Sequence, residues 1–249
     1  VFQKNKAKMP ISPNFTSILY EEKEINFLQC YPNGYLKYTD LCNILQLTAG
    51  LHAELGGISF SDMQEFHQAW VLSRMRVEIK RLPKWRDVVI VKTWIKSLEN
   101  SRSVRCLELY IGDEKIVGCE TFWAVINTNK RKPESLALPH EHFEKFSKNA
   151  TKKSLSKIDI KEEIKILENY TVRLSDLDVV NHANNVKYLE WCLNHCDANQ
   201  IMSNELKAFE MNFMRELALG DETVIGHHDD VFVITNNDKA CFALQLEWN

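Results

Sequence analysis

Residues 70–80, WVLSRMRVEIK, alternate: Val71, Met75, Val77 and Ile79 point one way, and Arg74, Arg76, Glu78 and Lys80 the other. A period of two marks a strand with one face on a core and the other toward water, and such half-buried strands belong to antiparallel sheets. Pro83-Lys-Trp-Arg-Asp then turns the chain into VVIVKTWI at 88–95, and further strands are predicted at 103–111 and 116–126 around Gly112-Asp113. Ahead of this block, Thr39-Asp40 opens a helical pattern through Leu41, Ile44, Leu45 and Leu51 that stops at Gly56-Gly57.

The same order returns. A strand is predicted at 169–175, a helix at 183–197, strands at 206–217 and 222–227, and a last hairpin from 231–235 to 240–248 around Asn236-Asn237-Asp238. Placing Asp87 over Asp221, an offset of 134, aligns Arg81 with Arg215 and Leu82 with Glu216. Between the copies, 127–165 is Lys-rich, carries Pro133 and Pro139, and reads as a linker with a short helix near 140–148. A chain of 249 residues suits one or two domains, and the doubled order selects two helix-on-sheet units of α+β class. The expected boundaries are 1–126, the linker at 127–165, and 166–249.

Composition excludes other classes. Eight Gly and six Pro rule out collagen-like and low-complexity chains. No apolar run approaches the ~18–20 residues of a membrane-spanning helix, and no signal-peptide pattern opens the chain, so no membrane insertion is expected. The chain opens on Val1 rather than Met, which leaves space for a segment upstream. Seven scattered cysteines, an odd number, read as reduced thiols and a cytoplasmic setting. The net charge of −3 hides a division: residues 70–105 hold ten Lys/Arg against three Asp/Glu, and residues 166–249 hold five against fourteen. A basic stretch suits an acidic partner, and equally the solvated outer faces of strands. No nucleic-acid-binding motif accompanies it, so no nucleic-acid partner is expected. Cys192 with His195 and Cys196, His140 with His142, and His227-His228-Asp229-Asp230 have ligand chemistry without a distant second pair, so no metal is expected.

Chemistry concentrates in 175–196, SDLDVVNHANNVKYLEWCLNHC. Val186, Leu189 and Leu193 keep helical spacing, and Tyr188, Trp191 and Cys192 fill the adjoining face, so this helix is buried. Asp176, Asp178, Asn181, His182, Asn184 and Asn185 crowd its amino end. Unpaired N–H groups and the positive end of the dipole there favour a carboxylate or a developing oxyanion. His182 and Asp178 form a general acid/base pair. The same residues would serve as plain helix caps, since Asn and Asp are preferred ones, and spacing alone does not separate the two uses.

DLDVVNHANNVKYLEW resembles the hallmark of acyl-acyl-carrier-protein thioesterases, roughly Asp-x-Asp-x-Asn-x-His-Val-Asn-Asn followed by Tyr and Trp. AWVLSRMRVEIKRLPKWRD at 69–87 is similar to that family's N-terminal signature, and the likeness runs over roughly 15–249. The resemblance implies two tandem hotdog domains, each a long helix wrapped by an antiparallel β-sheet. It also implies hydrolysis of a fatty acyl carrier protein thioester without metal or organic cofactor. It assigns Asp178 and His182 as the catalytic aspartate and histidine, and Glu216, in FMREL, as the glutamate that polarises water. Leu82 occupies the aligned place in the other half, so a single site is expected. The family's asparagine two residues before the histidine is Val180 here, and Asn181 is the candidate to take its place.

Trp70, Asn184 and Asn185 are the expected substrate-binding residues, and Phe66, Trp70, Trp85, Trp94 and Trp123 are candidates for an acyl tunnel. The acidic carrier protein gives Arg74, Arg76, Lys80, Arg81, Lys84 and Arg86 a docking role. The alternatives are an acyl-coenzyme A hydrolase of the same fold and a non-catalytic acyl or carrier-binding protein. A homodimer is left open.

Overall fold

The computed structural model describes residues 11–161 and 163–249. Its first half runs β1 (Ile18–Glu24), α1 (Tyr38–Leu55), α2 (Phe60–Gln64), β2 (Gln68–Ile79), β3 (Val88–Glu99), β4 (Arg102–Ile111), β5 (Glu114–Asn127) and the two-residue β6 (Lys132–Pro133). The second half runs β7 (Lys165–Thr171), α3 (Asn185–Leu193), α4 (Ala198–Met202), β8 (Ala208–Phe213), β9 (Glu222–His228), β10 (Val231–Asn236) and β11 (Lys239–Glu247).

All these strands join one antiparallel sheet in the order β1-β3-β4-β5-β2-β8-β11-β10-β9-β7, with β6 on β5. Read inward from either edge, the two halves repeat one order, and they meet where β2 pairs with β8, Met75 opposite Met211 and Val77 opposite Phe209. The long helices contact each other, and their buried faces share one apolar cluster with the inward strand residues. Leu41 and Leu45 of α1, Leu189 and Trp191 of α3, Phe209 and Phe242 belong to it. Each such side chain contributes on the order of 1.5–3 kcal/mol through burial. The expected α+β arrangement, two helix-on-sheet units in tandem, is the one observed.

Local chemistry adjusts the expected elements. In β2 the alternation holds for Met75, Val77 and Ile79, all buried. A bulge between Leu72 and Arg74 then switches the parity, so Leu72 rather than Val71 enters the core. The second helix ends at Leu193 instead of 197, because Asp197 caps α4 by accepting from the Gln200 N–H at 3.0 Å.

The connecting segment departs most from expectation. No helix forms near 140–148; the chain stays irregular there, with Phe146 N–H donating to Ile95 O at 3.0 Å and Phe143 packed against Phe15, His52 and His142. It then crosses the outer face of the sheet. Lys152 and Lys153 N–H donate to Glu78 at 2.7 and 3.0 Å, Ser156 N–H to Glu210, and Ile158 N–H to Asn212 Oδ1 at 3.0 Å. Only a glycine at 118 permits the crossing, since a Cβ there would lie 2.0 Å from Ala150 O. The outer face is therefore covered here rather than solvated, and Arg76 is 2% exposed. Its guanidinium donates to Glu78 at 3.0 Å, Glu247 at 2.8 Å and Glu210 at 3.4 Å. A group enclosed in this way has no face for a carrier protein, which removes Arg76 from the docking set.

Candidate active site

Both halves build the same turn before the long helix. Cys30 bridges to Leu36 and Tyr35 to Lys84 in the first half; Leu177 bridges to Ala183 and His182 to Ala218 in the second. Tyr31 N–H donates to Tyr35 O at 2.8 Å, as Asp178 N–H does to His182 O at 2.8 Å. Gly34 and Asn181, with φ of 80° and 64°, hold the left-handed position that Gly and Asn tolerate best. Leu36 N–H donates to Pro83 O at 2.9 Å and Ala183 N–H to Leu217 O at 2.8 Å. One turn thus places Tyr31, Tyr35 and Leu82 where the other places Asp178, His182 and Glu216.

In the second half the chemistry converges. His182 Nε2 stands 3.6 Å from Glu216 Oε2. Arg131, from the turn after β5, donates from Nη2 to the same carboxylate oxygen. Asp178 Oδ1 accepts from Val180 N–H at 3.0 Å and His182 N–H at 3.1 Å, which fixes the backbone that carries the imidazole. Leu217 N–H donates to the Tyr188 hydroxyl at 3.1 Å, anchoring the segment beside Glu216, which lies beyond the end of β8 at Phe213 rather than in the strand expected over 206–217. Burial pushes the Tyr188 phenol far above its usual range, so it stays neutral. These side chains line an open cleft of about 670 Å³ together with Trp70, Leu72 and Asn185.

The start of α3 supplies donors. Asn184 Oδ1 caps the helix through Val186 N–H at 3.0 Å, while the amides of Ala183 and Asn184 go to Leu217 O and Asp176 O. Asn185 N–H is left without a partner among the described residues, at the positive end of the helix dipole. The Asn185 side chain donates from Nδ2 to Gln46 Oε1 of α1 at 3.1 Å. Beyond it lies a second, half-open void of about 230 Å³, sharing Trp70 with the cleft and lined by Ala49, Ala53, Ile58, Ile95 and Trp123. Among the described residues, no group of three or more His, Cys, Asp or Glu stands close enough to hold a metal ion.

Residues 19–144 match the family model of the acyl-ACP thioesterase N-terminal domain, and residues 159–247 that of the C-terminal domain. The chain belongs to the acyl-ACP thioesterase family. An oleoyl-acyl carrier protein thioesterase of Coriandrum sativum is 28% identical over 241 residues, covering 85% of this chain and 60% of the relative. A palmitoyl-acyl carrier protein thioesterase of Arabidopsis thaliana is 28% identical over 193 residues, covering 70% and 46%. This family member thus spans about half to three fifths of the length of these curated relatives. The fold superposes on an acyl-ACP thioesterase from Bacteroides thetaiotaomicron with a TM-score of 0.85 at 23% identity, covering 94% of this chain and 98% of that one. The 12:0-ACP thioesterase from Umbellularia californica superposes at 0.77 with 20% identity, covering 94% and 98%.

In this family member, Asp178, His182, Glu216, Trp70 and Asn185 meet in one cleft. Asn181 does not join them: its side chain is exposed, it is absent from the cleft lining, and its left-handed backbone serves the turn. Val180 lines the cleft instead, and the amide side chain that α3 brings to it is that of Asn185. Asn184 is a helix cap facing a separate groove with Asp40, Asn43 and Lys187, so its expected substrate contact is corrected to a structural one.

None of the six expected docking cations lines the cleft. Lys80 and Arg81 pair with Glu114 at 2.6 and 2.8 Å, Arg74 lies over Phe122, Lys84 over Tyr35 and Arg86 over Trp85. Of the aromatic candidates, Trp70 and Trp123 border the second void; Trp94 is buried with Cys106 and Ala150, and Phe66 and Trp85 are exposed. Arg131 carried no sequence signal, since it sits in a stretch without periodicity and its partner lies 85 residues away.

Proposed function

We propose that the chain hydrolyses fatty acyl thioesters carried on acyl carrier protein and releases the free fatty acid. The contact between His182 and Glu216 in a cleft that opens beside an apolar void carries this reading. Glu216 takes a proton from water as the water oxygen bonds to the thioester carbonyl carbon. The carbonyl oxygen becomes an oxyanion that Asn185 N–H and the start of α3 stabilise. Collapse of this intermediate breaks the carbon–sulfur bond, and the proton reaches the departing sulfur through His182. A thiolate leaves readily, so neither a Ser or Cys nucleophile nor a cofactor is needed. Asp178 is a positioning residue that acts through the His182 backbone.

Arg215 and Lys239 line the cleft and suit the phosphate and acidic surface of a carrier. The two units are taken as 1–126 and 166–249 about the linker, with the carboxyl-terminal one holding the reacting groups. All seven cysteines are free, which suits a reducing compartment such as the cytoplasm. No helix among the described residues is long and apolar enough to cross a membrane. Turnover of matched acyl-carrier and acyl-coenzyme A thioesters tests the proposal. It expects the carrier substrate to be preferred, with a KM that rises with salt. Equal use of both carriers moves the reading to an acyl-coenzyme A hydrolase, and cleavage of neither to a binding protein.

A further inference from the structure

Arg105 on β4 is 6% exposed, and no carboxylate contacts it among the described residues. Its Nη1 lies 2.7 Å from His52 Nδ1 and donates to Thr93 Oγ1 at 3.2 Å. His52 Nε2 is 2.9 Å from Thr16 O, so this nitrogen carries the ring proton and Nδ1 accepts from the guanidinium. Burial beside Arg105 holds the His52 pKa down at about 3, so the ring supplies no counter-charge at neutral pH and adds none of its own. The positive charge is therefore uncompensated.

Arg105 borders the void beside Trp70, where Ser103 and Gln46 are the other polar side chains amid apolar walls. Its Nε and Nη2 have no acceptor among the described residues. Neither nitrogen is fully enclosed, and a cation this deep with no carboxylate beside it favours any acceptor that reaches it. A cavity for a plain hydrocarbon tail gains nothing from it; a Leu or Met would close the same wall. The cavity adjoins the catalytic cleft at two points, the shared Trp70 wall and the bond from Asn185 to Gln46.

We propose that this void is a subsite for oxygenated acyl chains, in which an acceptor oxygen borne away from the thioester carbonyl is held by Arg105 while the apolar walls hold the methylenes. The proposal rests on the thioesterase reading and narrows its substrate class. Hydroxyl, oxo and carboxylate groups share the required acceptor oxygen.

The test compares kcat/KM for plain, ω-hydroxy, ω-oxo and ω-carboxy acyl thioesters of graded chain length, in the wild type, Arg105→Met and Arg105→Lys. The expected result is a preference of about tenfold for one oxygenated series at one or more lengths. Arg105→Met abolishes it and Arg105→Lys keeps part of it. Preference for the plain chain at every length in the wild type overturns the proposal even if Arg105→Met does not fold. A preference that survives in a folded Arg105→Met protein also overturns it. Binding of non-hydrolysable thioether analogues of the same acyl pantetheines separates the two levels. Tighter binding of the oxygenated analogue without any turnover leaves the subsite standing and removes the thioesterase reading. Cleavage with no oxygen preference does the reverse.

Discussion

Tyr35 and His182 occupy the same place in a doubled turn, Tyr35 bridging to Lys84 and His182 to Ala218. The first half keeps the backbone geometry and carries none of the chemistry, because Tyr31, Tyr35 and Leu82 stand in for the acid, the imidazole and the second acid. Tyr35→Phe and Tyr31→Phe are therefore expected to leave turnover within about twofold of wild type, in the range of ordinary substitutions away from a site. Steady-state kinetics on the two variants checks this.

Arg131 holds the Glu216 oxygen that His182 also faces. Its removal frees the carboxylate to leave its working position. Arg131→Met should lower kcat about tenfold, the rate equivalent of roughly 1.4 kcal/mol, with little change in KM. Arg131→Lys should recover part of the loss, because the charge remains while the planar donor fork is lost. Steady-state kcat and KM for both variants read this directly.

The seam between the halves carries a buried charge cluster. Arg76 reaches Glu78 and Glu247 as well as Glu210, whose side chain is 4% exposed. Arg76→Met should destabilise the protein by about 3–5 kcal/mol, since it leaves Glu210 buried with its main cation gone. Denaturant unfolding measures the loss.

Acid should weaken the fold through His52. Its pKa is lowered from 6.5 to about 3, first by burial and then by Arg105. Below pH 6.5 the unfolded chain binds a proton there that the folded chain refuses. The stabilisation is therefore fully present above about 6.5 and is lost as pH falls toward 3. Glu247 acts in a lower window: its bonds to Arg76 hold its pKa down at about 2, so its contribution is present above the usual carboxylate range and lost as pH falls through about 2. His52→Gln should flatten the upper part of the stability profile, as followed by thermal melts across pH.

Much of this was legible in the chain, for identifiable reasons. The strands from 88 to 126 alternate or run apolar, and the buried face of α3 repeats at helical spacing. Asp178 and His182 lie within one turn, whereas Glu216 was reached only through the family resemblance. Alternation tells which side of a strand a residue takes, not what later covers that side. Arg76 and Glu210 were thus readable as outward but not as buried beneath residues 152–158. Asn181 and Asn185 look equally suited to a cleft in sequence; only the left-handed backbone at Asn181 turns its amide away. Arg131 and Arg105 act through long-range placement that no local pattern encodes.

Single-turnover hydrolysis of a long-chain acyl carrier protein by the wild type, His182→Ala, Glu216→Gln and the double variant addresses the central claim directly. Each single change is expected to slow the reaction about 10²–10⁴-fold, with the double variant little slower than the worse single one, as befits two groups moving one proton. Near wild-type turnover in either single variant would contradict it.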